Sequence, residues 1–278
     1  MDLFAQHSGP WLLGLAAALL ATGLVAGVLA GLLGVGGGIV IVPVLYHLFT
    51  LLDIDESVRM HVAVGTSLAT IVPTSILSSR AHRRKGSLDP SLVRRLLPSV
   101  VVGVALGAVA SGFLKGSVLT AMFATVALMV ALNMALRRDG FALGDGLPGP
   151  AGTALLGSGI GGVSTLMGIG GGTLSVPILN ALRVPMHTAV GTGALLGTVI
   201  SVPGALAFVV SGLDVPLRPP LSVGYVNLLG FALIVPATLL TTGWGATLAH
   251  RIDARRLGQV FAGFLALTSA RMFVGLFS

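Results

Sequence analysis

Two stretches of the chain carry a chemistry that their apolar surroundings do not call for. GVGGGIVIVP (Gly34–Pro43) and GIGGGTLSVP (Gly168–Pro177) each set three glycines in succession inside hydrophobic sequence. Glycine reaches backbone conformations that end a helix, and it lets another group approach the chain closely. A helix that restarts after such a break presents N–H groups without intrahelical partners and the positive end of its macrodipole. Together these hold anions. The spacing marks Gly36, Gly37 and Gly38, with Gly170, Gly171 and Gly172, as backbone donors to a small anionic substrate. Close helix packing is the other reading of these glycines, and the one given to the chain's remaining glycines.

Side chains near the breaks divide in the same way. Thr66 and Ser67 in HVAVGTS (His61–Ser67), and Thr192 in HTAVGTG (His187–Gly193), either donate to the anion or bond a carbonyl one turn back in their own helix. Thr70 and Ser175 face the same choice. His61 and His187 occupy matching positions, each opening a segment, as gate or proton-carrier candidates or as interfacial residues. Arg271 is the one basic residue inside an expected span. It either grips an oxyanion through its planar fork or snorkels toward the interface.

Absences narrow the chemistry further. The chain has no cysteine, so thiolate metal sites and cysteine nucleophiles are excluded. Its nine acidic residues (Asp2, Asp53, Asp55, Glu56, Asp89, Asp139, Asp145, Asp214, Asp253) all fall outside the apolar segments or at their edges. That leaves no intramembrane carboxylate for a proton relay or a desolvated cation, and no acid/base pair for an enzyme. The expectation is a carrier of anions, not an enzyme, with no metal and no cofactor. Export of an anion from a negative interior runs downhill by ~2.3 kcal/mol per charge per 100 mV.

The elements that position these residues are membrane spans. Of 278 residues, 54% are hydrophobic and only 9% charged, with a mean hydropathy of +0.99. Such a chain cannot cover a water-facing surface. The net charge of +7 is assigned to loops that orient the spans, and nucleic acid is not an expected partner. The N-terminal apolar stretch lacks a basic leader and is read as a retained span. Ten segments follow from the apolar runs: Trp11–Leu33, Ile39–Leu52, His61–Ser79, Leu96–Leu114, Ser117–Leu136, Ala151–Met167, Thr173–Leu182, Met186–Ser211, Val223–Leu248 and Leu257–Phe277. The second and seventh directly follow the triple glycines and read as half-helices. The shorter cannot cross ~30 Å of hydrocarbon as a straight helix.

The chain is also a repeat. The two glycine motifs match, HVAVGTS matches HTAVGTG, and Leu119–Met134 lines up with Leu257–Met272. The basic loop of the first half (Arg80–Arg95) has a nearly neutral counterpart, whereas GFLKGS is weakly charged and its counterpart Ala249–Arg256 is basic. Equivalent loops then lie on opposite membrane faces. The expected fold is an all-α integral membrane domain over residues 1–278, built from inverted five-segment repeats at 1–140 and 141–278. Arg80–Arg95 and Arg137–Gly140 would face the cytoplasm, and both termini the outside. Paired broken segments in inverted repeats point to a transporter's binding site.

These motifs carry a resemblance. GLLGVGGGIVIVPVL, HVAVGTSLATIVPTSILSS, the basic run ending RRKGSLD, and GIGGGTLSVPIL with TAVGTGALLGTVISVPGALAF resemble the TauE/SafE sulfite-exporter family across almost the whole chain. The resemblance implies a multi-pass protein of a bacterial or archaeal inner membrane, exporting sulfite or an organosulfonate such as sulfoacetate. It carries the family's motifs onto Gly34–Gly38, Gly168–Gly172 and the basic Arg83, Arg84 and Lys85. Where many relatives have an aromatic before the basic run, this chain has SSRAH. The expected partners are the substrate and the bilayer, and a homodimer is compatible with the reading. The alternatives are another small anion or a cation as cargo, and a non-transporting membrane subunit.

Overall fold

A computed structural model describes residues 9–33, 36–136, 144, 146–248 and 254–277. Among them are ten helices: α1 (Gly9–Leu33), α2 (Gly38–Leu51), α3 (Glu56–Arg84), α4 (Pro90–Ser111), α5 (Gly116–Leu136), α6 (Pro150–Met167), α7 (Gly171–Ala181), α8 (Met186–Ser211), α9 (Leu228–Leu248) and α10 (Ala254–Phe277). Six of the ten contain stretches long and apolar enough to cross a membrane, as a multi-pass membrane protein requires. The expected all-α membrane class holds, with one addition. A two-stranded antiparallel hairpin, β1 (Ser222–Val223) and β2 (Val226–Asn227), turns at Gly224 where the start of the ninth segment was expected. The basic stretch Arg137–Gly140 and residues 249–253 lie outside the described residues, as do Gly34 and Val35.

The half-helices are short for a local reason at each end. Each starts after glycine, and each carries a proline at a matching place, Pro43 and Pro177, which removes one backbone rung. Each stops in the same way. Asp53 and Arg183 adopt left-handed φ values of 52° and 58°. The next residues reach back, Ile54 N–H to the Phe49 carbonyl and Val184 N–H to the Leu179 carbonyl, both at 3.0 Å. With 14 and 11 residues, α2 and α7 are roughly 21 and 17 Å long at the α-helical rise, short of a full crossing.

The third helix is longer than the apolar run suggested. Asp55 caps it, accepting from the Ser57 N–H at 2.9 Å and from the Ser57 hydroxyl, so helix begins five residues before His61. At its other end α3 runs through Arg84, so much of the basic "loop" is helix terminus. There the macrodipole favours His82, Arg83 and Arg84. After a turn at Gly86 (φ 68°), Asp89 caps α4 by accepting from Ser91 N–H at 2.8 Å, with Pro90 at the first helical position. The serine hydroxyls first, then the backbone N–H groups, hold the Asp55 and Asp89 carboxyls below the usual carboxylate range.

Packing between helices is reciprocal. Helix α1 lies on α9 and α4 on α6; α3 packs on α8 and α5 on α10; α2 lies on α3 and α7 on α8. Exchanging α1–α5 for α6–α10 turns each of these pairs into a pair of the same set. Glycines set the closest approaches, as the packing reading of the chain's other glycines expects. Gly23 and Gly27 of α1 abut Ile234 to Thr241 of α9, and Gly103 and Gly107 of α4 abut Ser158 and Gly162 of α6. One core cluster gathers Ile39, Ile41, Met60, Leu119 and Phe123. A second gathers Leu96, Val100, Ile160, Leu179 and Ile200.

Candidate functional site

The two glycine breaks meet. A Cβ placed on Gly36 would lie 3.4 Å from the Gly170 Cα, and one on Gly38 would lie 2.5 Å from the Gly168 carbonyl oxygen. The backbones of residues about 134 positions apart are therefore in contact, and at Gly38 only glycine allows it. The second break is built as a helix stop. Gly168 sits at φ 67° after α6, Ile169 N–H returns to the Ser164 carbonyl at 3.1 Å, and extended Gly170 then caps α7. The described part of the first break, from Gly36 onward, is built as a helix start. Gly37, at φ 76°, caps α2, and its carbonyl receives Val40 and Ile41 N–H at 3.0 and 3.2 Å.

A small cavity, with room for about one water, opens where the breaks meet. Gly36 enters it from the first half, and Gly171 and Gly172, the first turn of α7, from the second. Thr74, Ser75 and Ser78 of α3 supply hydroxyls, while Gly193, Ala194 and Gly197 of α8 and Ala30 of α1 complete the wall. The Ser75 hydroxyl donates to the Val72 carbonyl and accepts from Thr198 Oγ1 at 3.1 Å, which ties α3 to α8 beside the cavity. No charged side chain lines it. The Thr74 and Ser75 hydroxyls give their protons to carbonyls of α3. A ligand there would meet the N-terminal end of α7, which favours an anion over a cation.

Several expected side chains are engaged elsewhere. Thr66 Oγ1 accepts the Asn227 backbone N–H at 2.9 Å, joining α3 to the start of α9. Ser67 donates to the Gly168 carbonyl at 2.7 Å and so ties α3 to the second break. Thr70 and Ser175 bond carbonyls of their own helices, those of Ser67 and Gly171. Thr192, the counterpart of Thr66, is fully buried with no hydrogen-bond partner. His61 is buried, with Nε2 3.1 Å from the Leu114 carbonyl and its ring stacked on Tyr225 at 4.9 Å. His187 is exposed, and so is Arg271 on α10; neither lines the cavity. Arg83, Arg84 and Lys85 are exposed at the end of α3.

Sequence reasoning missed two sets of residues. The hydroxyls Thr74, Ser75 and Ser78 line the cavity, and their signal was a cluster of hydroxyls in an otherwise apolar span. Asn227 is buried. Its side chain accepts Gly230 N–H at 2.8 Å, capping α9, and donates to the Pro220 carbonyl and the Ser222 hydroxyl. It stands where Asp89 stands in the first half, each capping the fourth helix of its half. The third helices grip these caps across the halves. Gly65 of α3 lies against the Tyr225 carbonyl, and Gly191 of α8 against the Ser87 carbonyl.

Comparison with known proteins agrees with this architecture. The family described as sulfite exporter TauE/SafE matches residues 19–272. A probable membrane transporter protein of Haemophilus influenzae is 34% identical over 255 residues, covering 92% of this chain and 97% of the relative. The probable membrane transporter protein YunE of Bacillus subtilis is 25% identical over 280 residues, covering 94% of this chain and 98% of the relative. One from Methanocaldococcus jannaschii is 25% identical over 256 residues, 90% of this chain and 92% of its own length. No solved structure matches the chain. Two glycine breaks in contact, ten helices and a match that runs through both halves lead to one conclusion: the chain belongs to the TauE/SafE sulfite exporter family.

Proposed function

We propose that the chain is a secondary transporter or facilitator that exports a small sulfur oxyanion or an organosulfonate, of the sulfite or sulfoacetate kind, by alternating access. One observation carries the reading: Gly36 from one break, and Gly171 and Gly172 from the other, line the same uncharged, hydroxyl-rimmed cavity. The anion's oxygens take the free N–H groups at the start of α7, and the Thr74 and Ser75 hydroxyls join them by turning their protons from carbonyls of α3 to the anion. The helix end supplies the positive potential, so Arg271 is not required at the site. The family supports the cargo class by its name, and the relatives support transport by theirs.

In this proposal the halves are inverted repeats in an inner membrane, with both termini outside and the exposed Arg83, Arg84 and Lys85 at the cytoplasmic mouth, where they concentrate anions. The reciprocal packing supports two equivalent halves. The test is flux into liposomes holding the purified protein. Labelled sulfite is the probe, with sulfoacetate, taurine, sulfate and chloride as competitors, under an imposed membrane potential. Saturable sulfite flux that follows the potential, is blocked by sulfonates and falls in Ser75→Ala is the expected result. Folded protein that moves none of these anions overturns the reading.

A further inference from the structure

The two halves bring equivalent residues to the breaks and fill the space there differently. Matching His61 to His187 sets Ser67 opposite Gly193, Leu68 opposite Ala194 and Ile71 opposite Gly197. In the first half these side chains occupy the ground beside the break. A Cβ on Gly38 would stand 2.7 Å from Ile71 Cδ1 and 3.0 Å from Ser67 Oγ. Leu68 reaches Gly204 of α8, with its Cδ1 3.2 Å from a Cβ placed there. Ser67, Leu68 and Ile71 are all fully buried.

In the second half the same three positions hold two glycines and an alanine, and the cavity lies there. Its wall can be mapped onto the other half residue by residue. Ala30 corresponds to Ser164 and Ser75 to Ser201. Both Ser164 and Ser201 are fully buried, and neither hydroxyl has a hydrogen-bond partner. The counterpart niche thus keeps polar wall positions, while Ser67, Leu68 and Ile71 stand where Gly193, Ala194 and Gly197 leave the open one free.

We propose that Gly193, Ala194 and Gly197 set the size of the anion, and that the protein has a single substrate niche, at the start of α7, because Ser67, Leu68 and Ile71 close its counterpart at the start of α2. The proposal rests on the transport reading above and adds which half receives the cargo. The niche is narrow, with room for about one water, so an anion enters it only as far as the small residues of α8 allow. One methyl group on that wall, at Gly197, narrows the space beside the Gly171 N–H and the Ser75 side chain, which a larger anion feels more than a smaller one.

The experiment is a comparison of sulfite with sulfoacetate and taurine in the liposome assay. Gly197→Ala places its Cβ 3.3 Å from the Ser75 Cβ and 3.6 Å from the Gly171 nitrogen, a fit needing shifts of a few tenths of an ångström. It should change the ratio of sulfite to sulfonate transport by at least about tenfold in favour of sulfite, the effect of ~1.4 kcal/mol. Ala194→Val is the second narrowing variant, should Gly197→Ala fail to fold. Ile71→Val loosens the closed niche and should leave the ratio unchanged. A ratio unmoved by both α8 variants, or moved equally by Ile71→Val, overturns the proposal while wild-type flux still upholds transport. Wild-type protein that carries no anion removes the transport reading itself, and this proposal with it.

Discussion

The two breaks share the pattern Gly-x-Gly-Gly-Gly and differ, among the described residues, at the step into the half-helix. In the first, φ is 76° at both Gly36 and Gly37, immediately before α2. In the second, it is 67° at Gly168, immediately after α6, and the residue before α7 is extended. The glycines that lead into α2 are therefore left-handed, and those that lead into α7 are not. Their neighbours differ as well. Gly37 is pressed against Ala26 of its own preceding helix, whereas its counterpart Gly171 is pressed against Leu196 and Gly197 of the helix that follows. One sequence pattern thus enters two half-helices by two backbone routes.

The sharpest way to break that comparison is to add one carbon to each side. Gly171 has an ordinary φ, but its Cβ would lie 2.6 Å from the Gly197 nitrogen, backbone that cannot step aside. Gly171→Ala should cost about 3 kcal/mol, the upper range for overpacking, read as a large fall in Tm in detergent. Gly36→Ala meets only a 3.4 Å contact and pays for its left-handed φ, roughly 1–2 kcal/mol. Gly36→Asn should recover part of that, because asparagine tolerates the conformation. Gly171→Ala with a wild-type Tm, or asparagine no better than alanine at 36, would dissolve the distinction.

A second test uses the paired threonines. Thr66→Val leaves the Asn227 N–H buried without an acceptor and should cost about 1–3 kcal/mol. Thr192→Val removes a hydroxyl that bonds nothing and should be neutral or slightly stabilising. Equal losses in thermal unfolding would show that the halves use these positions alike.

The smallest expected effect concerns the helix caps. Because its folded-state pKa is depressed, the Asp89 carboxylate contributes stability that is present above the usual carboxylate pKa of about 4 and lost as pH falls through the lower folded value. Asp89→Ala should lower stability by roughly 1 kcal/mol near neutrality, as loss of an N-cap does. It should also flatten the decline of Tm at acid pH. An unchanged acid limb would remove the cap from the account.

Much of this architecture was legible because apolar runs and triple glycines report directly on helices and their interruption. The ten segments and the two half-helices followed from that signal. The ends of α3 were not legible, since the polar residues that cap and terminate a helix have the composition of a loop. The hairpin at 222–227 was hidden because its residues continue an apolar run. At the site, the glycines could be placed but the hydroxyls could not. Thr66 and Ser67 are adjacent in sequence, yet one accepts from α9 and the other donates to the second break. Which neighbour claims a hydroxyl depends on residues far along the chain. Likewise His61 and His187 occupy matching positions, but only His61 has Tyr225 folded over it.

The grip of each third helix on the opposite half bears on how the protein is made. Gly65 and Thr66 find their partners at Tyr225 and Asn227, and the Thr66 bond spans 161 positions of sequence. Gly191 finds its partner at Ser87, which is already synthesised when residue 191 emerges. The first half therefore waits with an empty notch and an unanswered hydroxyl while the second is translated, and the second docks as soon as it appears. Assembly is latched from the late end: the grip of α8 can close when residue 191 emerges, and the grip of α3 closes only when residues 225–227 arrive.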